Sequence, residues 1–71
     1  MPGVLHKFYG EKEYKDRYAE VIWDGKQYMV AMYKRTQDHI NEEDLVEYRN
    51  LKGYSERYAE DCAENWVLGI I

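Results

Sequence analysis

The sequence predicts an α+β fold, a three-stranded antiparallel sheet followed by two helices packed on one face, in the order βββαα. Three observations carry it. Two runs rich in β-formers flank Asp24-Gly25 in RYAEVIWDGKQYMVAMYK. Apolar residues from Tyr58 to Val67 recur at helical spacing between Ser55 and Gly69. Between these regions, INEEDLVEYRNLKG carries helix-start signals at its beginning and a glycine at its end.

The first strand is VLHKFY, Val4 to Tyr9, which alternates weakly before Gly10 and a charged stretch. A lone hairpin is marginal in water, so a third strand antiparallel to the one beginning near Arg17 supports it. The central hairpin turns on Asp24-Gly25, a dipeptide suited to the positive φ angles of a tight turn. With those two residues as the loop, Trp23 pairs with Lys26, Val21 with Tyr28, Ala19 with Val30 and Arg17 with Met32. One face then holds Ala19, Val21, Trp23, Tyr28, Val30 and Met32. The other holds Tyr18, Glu20, Ile22, Gln27, Met29, Ala31 and Tyr33. A three-residue loop would place Glu20 against Val30, so the two-residue loop segregates the side chains better.

The first helix is expected to begin at Asn41, with Asp44 at N3, as in a capping box, and with Ile40 and Leu45 as a hydrophobic staple. Gly53 closes it. The second begins after Ser55, a good N-cap, and buries Tyr58, Ala59, Cys62, Ala63, Trp66 and Val67 as one stripe. Gly69 stands where a C′ glycine ends a helix.

YKDRYAE, from Tyr14 to Glu20, resembles YSERYAE, from Tyr54 to Glu60. In the first, Tyr18 and Ala19 fall on opposite faces of a strand; in the second, Tyr58 and Ala59 share one helical stripe. Two copies in elements of different period do not make a repeat architecture.

At 71 residues the chain reads as a single small domain, residues 1–71. A domain of this size buries only about 60% of its unfolded surface. The single cysteine allows no intramolecular disulfide. With no run near the roughly 18 apolar residues of a membrane span and no signal-peptide pattern, a soluble cytoplasmic protein is expected. The net charge of −4 is unevenly spread: residues 1–35 hold seven basic residues against five acids (+2), residues 36–71 three against nine (−6).

No catalytic constellation stands out. His6 and His39 are the only histidines. Cys62 falls in an apolar stripe, where a small buried hydrophobe is the ordinary role. Zinc calls for about four ligands with local spacing, and the chain has no CxxC or HxxxH pair. Glu42, Glu43 and Asp44 suit a helix N-terminus better than a calcium loop. There is no glycine-rich phosphate loop. Glu20 is an acid among apolar neighbours but has no evident partner for general-acid work. The sequence therefore implies no enzyme, no metal and no cofactor.

Two surfaces remain as candidates for binding. The sheet face with Tyr18, Ile22, Met29 and Tyr33 is apolar where an antiparallel sheet is usually wet, and contiguous exposed apolar patches mark interaction sites. On the last helix, Glu56, Glu60 and Glu64 recur every four residues with Asp61 beside them, a spacing that costs roughly 0.2–0.5 kcal/mol per like-charged pair. The expected partner is another protein with a basic surface, and self-association of the sheet face is an alternative. A specific form of this reading is an inhibitor or modulator of nucleic-acid-handling machinery. Small acidic, aromatic-rich domains without catalytic residues are a kind of product that mobile genetic elements encode, an analogy of class that no motif here supports. Single-stranded nucleic acid on the tyrosines, interleaved with Lys15, Arg17, Lys26, Lys34 and Arg35, ranks below protein binding. An acidic chain starts at a disadvantage for phosphate.

Overall fold

A computed structural model describes residues 3–35 and 44–70. Four strands and one helix follow in order: β1 Gly3–Tyr9, β2 Arg17–Trp23, β3 Tyr28–Lys34, β4 Leu45–Leu51 and α1 Glu56–Val67, with a 3-10 turn at Lys12–Tyr14 before β2. The strands form one antiparallel sheet in the order β1-β2-β3-β4. The α+β class and antiparallel pairing agree with the sequence reading, but the described residues form four strands and one α-helix where it expects three and two.

The hairpin register also differs. Trp23 pairs with Tyr28, Val21 with Val30, Ala19 with Met32 and Arg17 with Lys34. Asp24 explains the shift. Its Oδ1 accepts from the backbone N–H groups of Lys26 at 2.7 Å and Gln27 at 2.8 Å, and its own N–H donates to Gln27 O. The turn therefore centres on Gly25 and Lys26, with Gly25 at φ 103°. Every cross-strand partner moves by two residues, an even number, so the division between the faces survives.

The expected helix between Asn41 and Gly53 is replaced by β4. The proposed cap Asn41 and staple residue Ile40 lie outside the described residues, and Asp44 is buried just before the strand. Pairing with β4 satisfies the outer hydrogen-bonding edge of β3 and buries Leu51 opposite Tyr28, a gain that local helix signals cannot match. Gly53, at φ 87°, serves the turn into α1, where Tyr54 N–H donates to Leu51 O.

The C-terminal helix matches its signals. Ser55 accepts from Tyr58 N–H at its start, and Gly69 sits at φ 78° past its end, donating to Trp66 O. Ala59, Cys62, Ala63 and Val67 pack on Ala19, Val21, Val30, Met32 and Leu51, with Phe8, Tyr28 and Trp66 at the margin. Small residues on the helix let it lie close to β2 and β3. Tyr58 departs from the expected stripe: it is exposed and stacks on Tyr54 with ring centres 4.3 Å apart. The two similar heptapeptides do occupy different elements, one leading into β2 and the other into α1.

A bulge in β1 decides what its end presents. Val4 pairs with Ile22, but His6 pairs with Val21, leaving Leu5 as the extra residue. The extra residue turns His6 and Phe8 toward the helix and leaves Lys7 and Tyr9 on the opposite face.

Candidate binding face

Because α1 packs on one side of the sheet, the other side is the candidate site. Strand alternation builds it from all four strands. β1 contributes Val4, Lys7 and Tyr9, and β2 contributes Tyr18, Glu20 and Ile22. β3 adds Met29, Ala31 and Tyr33, and β4 adds Leu45, Tyr48 and Asn50. Among the described residues, no helix or strand packs over this side.

Its centre is a row of tyrosines. Tyr9, Tyr18 and Tyr33 are direct neighbours on β1, β2 and β3, with ring centres 4.9 Å and 5.7 Å apart. The middle ring is shielded by the outer two, so Tyr18 is only 6% exposed whereas Tyr9 is 61% exposed. Tyr18 OH donates to Glu20 Oε2 at 2.8 Å. Burial, and then this carboxylate, push the Tyr18 phenol well above its ordinary pKa. Glu20 is thus a hydrogen-bond acceptor within the face. A second row pairs Ile22 with Met29, and Tyr48 OH reaches Met29 Sδ at 3.4 Å. Ala31, on the same side, is fully buried.

The sequence-selected Tyr18, Ile22, Met29 and Tyr33 therefore form two cross-strand pairs on one face, Tyr18 with Tyr33 and Ile22 with Met29, with the Glu20–Ala31 pair between them. The sequence reading did not include Tyr9, Val4, Leu45 and Tyr48, which are among its most exposed apolar members. The parity of Tyr9 with Tyr18 is hidden by the β1 bulge, and Tyr48 lies in the segment read as a helix.

The acidic residues of α1 are divided between two flanks of the helix. Glu56 and Glu60 turn toward β1, where His6 Nε2 lies 2.7 Å from Glu56 Oε2 and 3.5 Å from Glu60 Oε1. Asp61 is on the opposite flank, in a cleft of about 350 Å³ lined also by Arg49, Tyr58, Cys62 and Asn65. Glu64 is exposed. Inside the cleft, Arg49 pairs with Glu47 and lies 3.6 Å from Cys62 Sγ. The carboxylate of Glu47 raises the Arg49 pKa.

The cations matter equally for what the face can bind. Arg17 points to the helix side, donating to Trp66 O at 2.7 Å with its guanidinium 4.6 Å from the Tyr14 ring centre and 4.9 Å from that of Trp66. Its partner Lys34 shares that side. Lys26 is in the turn, and Arg35 donates to Lys15 O. On the strands, Lys7 is the cation of the open side, opposite Glu20.

Among the described residues, no helix is long and apolar enough to cross a membrane. Comparison with protein-family models, curated proteins and solved structures finds no match to the chain.

Proposed function

We propose that this chain is a noncatalytic binding domain that docks the open side of its sheet on another protein. The carrying observation is the apolar set of Tyr9, Tyr33, Ile22, Met29 and Tyr48 on the side away from α1, in two rows with Glu20 between them and Tyr18 buried beneath the first. Burying it would gain roughly 25 cal/mol per Å² of apolar surface. Tyrosines suit such a surface, because they bring large area with few rotatable bonds and a polar tip. The partner is a protein with an apolar centre and a basic surround. The net charge of −4 favours encounter with a basic surface, whereas the face itself supplies contact area. Inhibition or modulation of a protein that handles nucleic acid fits this chemistry, since such proteins carry basic surfaces for phosphate.

Single-stranded nucleic acid is the second reading, favoured by the tyrosine row. Two features weigh against it. Tyr18 is shielded by its neighbours and offers no free ring for a base, and Arg17 and Lys34 stand on the other side.

The test is capture with three forms of the protein. Wild type and a Glu64→Lys variant should retain the same partner protein, and a Tyr9→Ser, Tyr33→Ser double variant should lose it while keeping its circular dichroism. Capture abolished by Glu64→Lys alone would move the site to the helix. Saturable binding of a labelled single-stranded oligonucleotide at moderate salt would favour the second reading.

A further inference from the structure

Independently of the open face, we propose that His6, Glu56 and Glu60 form a three-ligand site for a divalent transition-metal ion, with Zn²⁺ as the best fit. The three donor atoms lie within 4.8 Å of one another, although His6 and Glu56 are 50 positions apart in sequence. Two features of the fold produce this meeting. The β1 bulge puts His6 opposite Val21, on the helix side; in an unbroken ladder it would fall opposite Glu20, on the open side. The four-residue spacing of Glu56 and Glu60 sets both carboxylates on the flank of α1 that faces β1.

The donor set and the distances agree with zinc. Tetrahedral coordination at about 2.0–2.2 Å requires donors roughly 3.3–3.6 Å apart. His6 Nε2 and Glu60 Oε1 are 3.5 Å apart, and the 2.7 Å separation to Glu56 Oε2 has to widen by less than an ångström. All three side chains are about one-third to two-fifths exposed, which leaves room for that adjustment and for a water molecule in the fourth position. An imidazole ligand favours zinc, copper, nickel or cobalt over magnesium and calcium, which take oxygen donors. In the metal-free protein the imidazole lies between the two carboxylates; a bound cation would neutralise both. It would also tie β1 to α1 across the core, a useful staple in a chain of 71 residues with no disulfide.

Isothermal titration of chelator-treated protein with Zn²⁺ tests the site, supported by Co²⁺ absorption as a report of coordination geometry. The expected result is one saturable Zn²⁺ per chain, a melting temperature that rises with added Zn²⁺, and visible Co²⁺ bands of four-coordinate type. His6→Gln and Glu60→Gln should each remove saturation over the same concentration range, whereas His39→Gln and Glu64→Gln should bind as wild type does. Should His6→Gln fail to fold, Glu60→Gln decides. Absence of saturable binding, or binding undiminished in the Glu60→Gln variant, would overturn the proposal and leave the cluster as a hydrogen-bonded contact only.

Discussion

Tyr9 shields Tyr18: their rings lie 4.9 Å apart on neighbouring strands, and the outer one is open to solvent while the inner one is buried. This pair should contribute about 0.5–1.5 kcal/mol beyond the area it buries. Tyr9→Ala, which also removes the area the ring covers, should lower stability by at least that amount, measured by urea unfolding, without changing the fold. The Tyr18 phenol, raised chiefly by burial, also sets a pH dependence. Folding favours its protonated form, so its stabilising contribution is complete below the ordinary value of 10.0 and declines as pH rises above it. Tyr18→Phe should make stability fall less steeply above pH 10.0 than in wild type.

Arg17 is held between the Tyr14 and Trp66 rings, and its Nη1 donates to the Trp66 carbonyl. The planar guanidinium suits both ring faces and the carbonyl, a geometry that an ammonium cannot reproduce. Arg17→Lys should therefore destabilise almost as much as Arg17→Met, by roughly 1.5–3 kcal/mol. Tryptophan fluorescence during chemical unfolding measures both. Full rescue by lysine would show that charge alone matters there.

Gly10 lies where β1 gives way to the 3-10 turn, and a Cβ there would run into the backbone carbonyls of Tyr14 and Val67. Neither is a flexible side-chain end. Gly10→Ala should cost at least about 3 kcal/mol. At Gly25 the space is open and only the positive φ resists, so Gly25→Ala should cost about 1–2 kcal/mol. Melting temperatures of the two variants should rank accordingly.

The Asp24 carboxylate accepts from Lys26 and Gln27 N–H, and these bonds hold its pKa below the ordinary 3.8. A depressed carboxylate contributes stability above its unfolded pKa and loses it as pH falls through the folded value. Asp24→Ala should thus be less stable than wild type at neutral pH, and the gap should close below pH 3.8. Thermal melts across an acid series check this.

The legible parts of the fold are those with strong local chemistry or a covered face. Ser55 and Gly69 bracket α1 as their types suggest. Ala19, Val21, Val30 and Met32 alternate because α1 covers one side of them. The turn was displaced because the sequence shows that Asp24-Gly25 favours a turn, but not where the Asp24 carboxylate will bond. β4 was hidden for a different reason. It lies at the edge of the sheet, where α1 covers little, and its Glu47, Tyr48, Arg49 and Asn50 are exposed on both faces. Without a dry side, a strand carries no apolar alternation, and the capping signals before Leu45 fill that silence. The same limit applied to the candidate site. Tyr18 and Tyr33 could be placed together from one hairpin, but Tyr9 required the bulge and Tyr48 required β4. The approach of His6 to Glu56 and Glu60 depends on tertiary packing and leaves no spacing in the sequence.

The central claim is that the open side of the sheet contacts a partner protein. Its most direct measurement is site-specific photo-crosslinking in cells, with a photoreactive residue placed in turn at Tyr9, Tyr48 and Glu64. The expected result is one discrete adduct, to the same other protein, from Tyr9 and Tyr48 and none from Glu64. Adducts from Glu64 alone, or to nucleic acid, or solely to a second copy of this chain, would contradict the claim.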